Sequence, residues 1–257
     1  MSAFDEVQEA ARIASQPAAP PAIPETIFEL MHTMRAMRRL KPDPVPRDLL
    51  EQLVAAATWA PSASNAQAYS YLVVTDRAQM SRLAVLWRKV ADFYLSLAAK
   101  YAEKYPVPNL TAEQGQRMLA ALRYQEEHFA QTPALIVACY NTAPPRLSDL
   151  PALWSSLRGL GWRHGWAVAR HLGRCKLVGD AASSYPGVQN LLLAARALGL
   201  GATLSTWHLF LEDDFKRVLG LPRHVTPFAL IPVGYPLGRF GPVRRIPATE
   251  VIHWDRW

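Results

Sequence analysis

The sequence predicts an α+β protein folded as one domain, and three observations carry that reading. Long stretches place apolar residues at the spacing of an amphipathic helix. Short apolar runs bounded by proline and asparagine read as strands. The stretch Asn190 to Trp207 joins the two. There Val188, Leu191, Leu192, Ala195 and Leu198 recur at helical spacing from Pro186 to Leu198, Gly199 suits the left-handed end of a helix, and Ala202 to Ser205 reads as a short strand. Ser205 and Thr206 then expose backbone N–H groups where a planar ligand could lie. An ordinary helix–turn–strand connection has the same signature, so other stretches must decide.

In chain order, residues 1–24 hold the segment QPAAPPAIP and read as a flexible arm. Residues 25–257 form the domain. Glu25 to Arg38 reads as a helix with the stripe Ile27, Phe28, Met31, Met34 and Met37, so Arg35, Arg38 and Arg39 would complement its negative end or form a phosphate clamp. Lys41 to Pro46 is a stiff proline turn, Arg47 to Trp59 a second helix, and Pro61 its stop. Ala60 to Tyr69 is a polar loop of small residues feeding a strand, Tyr71 to Thr75. Helices follow at Gln79 to Tyr105 and Thr111 to Phe129, joined through Pro106 to Asn109, then a strand at Ala134 to Tyr140. Residues 144–178, with Trp154, Trp162, Trp166 and many arginines, show no convincing period and read as an irregular excursion, a candidate lid. Glu212 to Leu219 is a short helix. Pro227 to Val233 is a strand in which Pro232 argues for an edge or a bulge. The tail carries Ile246, Val251, Ile252, Trp254 and Trp257, apolar enough to need a partner such as a second subunit.

Composition narrows the function. With 257 residues, half of them hydrophobic, the chain can bury a sizeable core. No apolar run reaches the length of a membrane span and the start is acidic, so a cytoplasmic protein without membrane partners is expected. Cys139 and Cys175 suggest neither a disulfide framework nor a metal cluster. The net charge of +7 is clustered near the front, the middle (Arg158, Arg163, Arg170, Arg174, Lys176) and the end (Arg239, Arg244, Arg245), which suits phosphate-bearing partners. Nucleic acid is not expected, since no helix-turn-helix, zinc-finger or RNA-recognition pattern occurs. No Ser-His-Asp arrangement or pair of acids invites covalent work. His164, His171, His208 and His224 remain candidate proton donors beside their commoner structural role.

Four blocks in register carry a family resemblance: Met34-Arg35-Ala36-Met37-Arg38-Arg39-Leu40-Lys41-Pro42-Asp43-Pro44-Val45-Pro46, Ala60-Pro61-Ser62-Ala63-Ser64-Asn65-Ala66-Gln67, NLLLAARALGLGATLST, and GPVRRIP. In order and spacing the chain resembles the nitroreductase family of FMN-dependent oxidoreductases over residues 27–75 and 183–250. The resemblance implies an α-β-α sandwich with helices flanking a small mixed sheet, in a domain-swapped homodimer with FMN at the interface. It places Arg35, Ala36, Arg38 and Arg39 in the block that holds FMN phosphate, ribityl chain and pyrimidine edge, with Ala36 replacing a hydroxyl-bearing residue. Pro61, Ser62, Ser64, Asn65 and Gln67 fall in the loop contributed across the dimer, where Ala68 and Tyr69 replace the family's Pro and Trp. Leu204, Ser205 and Thr206 set their backbone against the flavin, and Arg244 and Arg245 match the basic pair at the phosphate.

The chemistry so implied is hydride transfer from NAD(P)H through bound FMN to a small-molecule acceptor such as a nitroaromatic or quinone, in ping-pong order, with Arg38 as the electrostatic stabiliser. Neither NADH nor NADPH is selected, because no Gly-rich βαβ fingerprint occurs. Dehalogenation or flavin cleavage on the same scaffold, and a flavin-binding redox sensor with little turnover, are the alternative readings.

Overall fold

The computed structural model describes residues 26–102, 104, 111–142, 148 and 150–257. The N-terminal arm and the junction at Pro106 to Asn109 lie outside them. Four strands form one sheet: β1 (Tyr69–Val74), β2 (Ala134–Asn141), β3 (Gly201–Ala202) and β4 (Val225–Gly234), in the order β1-β2-β4-β3. The buried run of β2 alternates strictly. Ala134, Ile136 and Ala138 face one core, while Leu135, Val137 and Cys139 face the other, as period-two geometry requires.

On the first face pack α2 (Arg47–Thr58) and the C-terminal part of α6 (Gly161–Ala197), through Leu50, Leu53 and Ala57 against Val188, Leu191 and Ala195. On the second pack α3 (Arg77–Ala102) and α7 (Glu212–Leu219), through Met80, Leu83, Trp87 and Val90 with Phe215 and Leu219. The result is the expected α-β-α sandwich. The N-terminus of α3 is capped by the Asp76 carboxylate accepting from the Gln79 N–H at 2.6 Å. Thr111 and Gln114 make a reciprocal capping box on α4 (Ala112–His128). The span of α7 coincides with the predicted one, and Gly220 closes it with φ 68°.

Three expectations are corrected. First, every strand pairing among the described residues is antiparallel, not mixed. The link from β1 to β2 contains two long helices, α3 then α4, so the second strand starts from the end where the first finished; a single crossover helix would have returned it parallel. Second, the first helix α1 spans only Ile27–Thr33 and buries none of its residues. From Met34 (ψ 126°) the chain is extended, because it is captured along the sheet: the Met37 N–H donates to Ala202 C=O at 3.0 Å, Lys41 N–H to Tyr235 C=O at 2.8 Å, and Leu40 bridges Pro236. Third, Pro232 lies neither at an outer edge nor at a bulge; the register shift falls at Ala138/Cys139. Leu230 exchanges both backbone hydrogen bonds with Ser205, so position 232 turns its nitrogen the same way, and the β3 ladder is interrupted there.

The segment expected to be irregular is a helical hairpin. Residues 143–147 and 149 lie outside the described set, α5 spans Leu150–Gly159, and α6 runs unbroken from Gly161 through Pro186 to Ala197, about 55 Å at 1.5 Å per residue. Between Gly161 and Ala182 only Gly165 is buried, against Leu157, so the hairpin stands off the domain. With no single face covered, no amphipathic period is imposed on it.

Gly187 lets α6 approach the domain. A Cβ there would meet Tyr71 Oη at 2.5 Å and Ala57 O at 2.9 Å, whereas one at Gly173 meets nothing within 4 Å. Gly187→Ala should therefore lower the melting temperature, at a cost of about 1–3 kcal/mol. Gly173→Ala should raise it, with about 0.5–1 kcal/mol of stability gained through helix propensity. Parallel thermal melts check the opposite signs.

Candidate functional site

The extended segment after α1 decides where the predicted cations go. Its backbone is held by the sheet, and the C-terminal tail comes to meet it, since the Val243 N–H donates to His32 C=O at 2.9 Å. Arg196, buried at the end of α6, fixes the same corner: its Nε donates to Thr33 Oγ1 at 3.1 Å and its guanidinium lies 4.3 Å over the Phe240 ring. As a consequence Arg35, Ala36 and Arg38 line one cavity of about 570 Å³ with Arg244 and Arg245 from the far end of the sequence.

The remaining wall comes from α4, through Gln114, Arg117, Met118 and Ala121. Sequence reasoning missed these residues, because the pattern of α4 reads only as packing. Arg117 pairs with Glu113 at 3.0 Å on an exposed surface, which leaves its charge well solvated. Among the described residues no carboxylate lines the cavity, and its donor set fits a dianionic phosphate.

Arg38 also lines a second, smaller recess of about 140 Å³ with Trp87, Leu122, Gln125, Thr203, Leu204, Ser205, Thr206 and Trp207. The three residues after the glycine turn thus sit beside this arginine. Of their amides, that of Ser205 already donates to Leu230 C=O at 2.9 Å, which corrects the expectation that it stays open to a ligand. Burial lowers the Arg38 pKa, partly offset by Tyr94. Arg39 goes elsewhere, its guanidinium 5.0 Å above the Tyr124 ring, and it lines neither cavity.

The loop with Pro61, Ser62, Ser64, Asn65 and Gln67 is not brought to these cavities. Ala63–Asn65 forms a short 3₁₀ turn in which Ser62 Oγ accepts from the Gln67 N–H at 3.0 Å, and the Ala63 N–H donates to Ser183 Oγ on α6 at 3.1 Å. Ser64, Asn65 and Gln67 all have positive φ, at 53°, 51° and 48°. For residues with side chains this is stored strain, held on an exposed surface.

The remaining candidates are structural or inert. Among the described residues no cluster could hold a metal ion, and no helix is long and apolar enough to cross a membrane. Burial pushes the Cys139 thiol up to about 11, so it stays protonated. His164 and His171 lie on the hairpin, and the His224 carbonyl accepts from Thr142 N–H at 2.9 Å. His208 is buried, its Nε2–H donating to Pro227 C=O at 2.8 Å and its Nδ1 unpartnered.

The fold is a three-layer α+β sandwich in which an arginine-lined cavity meets, at Arg38, the recess lined by the residues after the glycine turn. The chain belongs to the nitroreductase family, whose model matches residues 33–235. It is 28% identical over 222 residues to an NADH dehydrogenase of Thermus thermophilus, covering 86% of this chain and 91% of that one. Iodotyrosine deiodinase, solved with FMN and 3-iodo-L-tyrosine, superposes with a TM-score of 0.62 at 17% identity, covering 90% of this chain and all of that one. A nitroreductase-like family protein from Bacillus cereus gives 0.57 at 19%, covering 90% and 97%.

His208 gives a pH test. Burial lowers its pKa from 6.5 in the folded state, while the unfolded chain keeps the ordinary value. Below pH 6.5 the unfolded state binds the extra proton, so stability is lost as pH falls from 6.5 towards the lowered value, then levels off. His208→Gln keeps a donor for Pro227 and removes the titration. Its melting temperature should fall less than the native protein's between pH 7.5 and 5.5; parallel curves would refute the assignment.

Proposed function

We propose that the protein is an FMN-dependent oxidoreductase that draws hydride from NAD(P)H and delivers it to a small acceptor such as a nitroaromatic or a quinone, working as a homodimer. The observation that carries this reading is the convergence of Arg35, Arg38, Arg244 and Arg245 on one cavity that meets the glycine-turn backbone at Arg38. Family membership and the names of the relatives support it. FMN, when bound, supplies the two-electron chemistry in a ping-pong cycle.

The residues of the chain supply binding, orientation and charge. Arg35, Arg244 and Arg245 hold the phosphate, with Gln114 and Arg117 closing the cavity from α4. Ala36 offers no hydroxyl there, which forgoes about 1 kcal/mol of hydrogen bonding. Arg38 keeps a partly buried cation where negative charge gathers on the reduced ring, worth more there than in open water. The Leu204 and Thr206 amides face the ring.

Several surfaces favour the dimer. Phe28 on α1 is 79% exposed and Trp254 in the tail 83% exposed, an apolar cost that a second subunit would relieve. The strained loop Ser62 to Gln67 lines neither arginine cavity of its own chain, and it serves the partner's flavin instead. The hairpin of α5 and α6 leaves the domain just before Ser183, which holds that loop, and so reaches the same site as a lid. Its groove of about 460 Å³ is walled by Trp154, Trp162 and Trp166 with Arg158. No acid occurs from Leu150 to Gly179, so a flat or anionic acceptor is favoured.

The first test is the visible spectrum of the purified protein, identification of the released cofactor, and steady-state NAD(P)H oxidation. Replacing Arg35 and Arg245 together by Ala should give colourless protein, with FMN bound at least about a hundredfold more weakly, since two charge-assisted contacts are lost. Stoichiometric flavin in that variant would overturn the clamp. Trp162→Ala and Trp166→Ala should alter acceptor preference more than the rate of NAD(P)H oxidation; equal losses in both half-reactions would refute the lid.

A further inference from the structure

The hairpin of α5 and α6 carries a surface that its own domain does not use. From Gly161 at the tip to Ser183, where α6 rejoins the domain, the helix covers about 33 Å at 1.5 Å per residue. Towards the tip Trp154, Trp162 and Trp166 are 65%, 81% and 68% exposed, with Leu160 exposed between them. Helical periodicity orders the rest. Trp162 and Trp166 are one turn apart, Arg163, Arg170 and Arg174 fall at i, i+7 and i+11, and Leu177 lies between the two rows. One broad face of α6 thus joins indoles and a leucine to a line of guanidinium groups.

The charge pattern says what covers this face. No acid occurs from Leu150 to Gly179. Among the described residues Arg158, Arg163, Arg170 and Arg174 have no carboxylate partner, whereas Lys176, near the base, pairs with Asp180 at 2.8 Å. Arg170 and Arg174, one turn apart, repel each other with nothing to offset it. Such a face repels a second hairpin like it and attracts an anionic surface. Guanidinium groups by themselves would suit a nucleic acid equally. The exposed Leu160, Leu172, Leu177 and Val178 decide against that, since they gain nothing from a phosphate backbone but leave water, with the indoles, at the headgroup level of a bilayer. Docking of this kind needs no membrane span, and among the described residues no helix is one.

We infer that the tip of the hairpin docks on an anionic lipid surface, with Leu160 and the three tryptophans at the headgroup level and Arg163, Arg170 and Arg174 on lipid phosphates. The docking stands on the hairpin alone and goes beyond the flavin reading. Where the two meet, the groove between Trp154, Trp162 and Trp166 opens onto lipid, and the acceptor that reaches it is a quinone dissolved in the bilayer. That last step rests on the flavin reading.

The test uses the full chain with vesicles of phosphatidylcholine, alone or mixed with phosphatidylglycerol. Cosedimentation reports binding, and quenching of tryptophan fluorescence by brominated acyl chains reports contact with lipid. Native protein should bind the anionic vesicles, less so at high salt, and be quenched by them; it should not bind phosphatidylcholine alone. Arg163→Gln with Arg170→Gln should weaken binding at least about tenfold. Arg47→Gln with Arg217→Gln removes the same charge from exposed sites elsewhere and should change it less than about twofold. Trp162→Ala with Trp166→Ala should weaken binding and remove most of the quenching. Equal losses in the two arginine pairs would overturn the docking, as diffuse attraction to a basic protein, and so would binding without quenching. Tighter binding to a duplex oligonucleotide than to the vesicles would assign the arginines to nucleic acid and overturn it too. If the two alanines leave acrylamide quenching of the lipid-free protein unchanged, a second copy already covers the tip and the docking fails. None of these readouts requires flavin. With flavin bound, a long-chain quinone should be reduced faster in anionic than in neutral vesicles; equal rates with docking intact would overturn the acceptor step.

Discussion

The site depends on one constraint: residues 34–41 are held extended along the sheet by backbone hydrogen bonds to Ala202 and Tyr235 and by the bridge from Leu40 to Pro236. The helix that the methionine spacing suggests through Arg38 ends instead at Thr33, and the backbone amides of residues 37 and 41 are used by the sheet. In the observed course Met37 packs beside Gly201 while Arg35 and Arg38 both line the cavity. A Cβ on Gly201 would press on Leu40 at 2.9 Å and Met37 at 3.0 Å, so the glycine that follows the helix turn is also what lets this segment approach. The turn and the arginine segment are therefore one structural unit, although about 160 residues of chain separate them.

Collecting guanidinium groups without a carboxylate is unfavourable by itself. Like charges repel, and Arg38, the half-buried member of the set, also gives up hydration. The fold tolerates this because the tail is fixed by hydrogen bonds that do not involve the charges: Val243 to His32, and the neutral packing of Phe240 beneath Arg196. The ion pairs that do occur, such as Arg47 with Glu51 and Arg217 with Asp214, lie on exposed surfaces and contribute little. Positive potential is thereby concentrated where an anion can use it.

Much of the layer architecture was legible because it follows local rules. The apolar run of β2, the bounds of α7 and the glycine turn each need only a few neighbouring residues to be read. What was not legible depends on contacts remote in sequence. The end of α1 at Thr33 is set by a sheet edge that arrives from β3 and β4. The hairpin of α5 and α6 gave no period because a helix exposed on all sides has no face to mark. Pro186 reads as a start, yet lies inside a helix whose packing on α2 carries it through. Of the candidate residues, Arg35, Arg38, Arg244 and Arg245 come together, whereas Arg39 is diverted to Tyr124 and the loop Pro61 to Gln67 lines neither cavity. Gln114, Arg117 and Gln125 belong to no motif, and only the docking of α4 against the extended segment makes them neighbours of an arginine.

Strain and unpaired charge occur at separate places, and their separation is informative. The left-handed residues Ser64, Asn65 and Gln67 lie on an exposed loop tied to α6 through Ser183, while the arginine row of the hairpin lies further out on that helix. Each costs free energy that the isolated chain does not recover. A backbone held in such a conformation persists only if its surroundings over-determine it, and here they are two side-chain hydrogen bonds, two backbone bonds within the turn and open solvent. Selection for stability alone would remove both features, by glycine in the loop and by an acid in the arginine row. Their coexistence around one helix is expected if each meets something outside its own chain, the loop a second copy and the row an anionic surface.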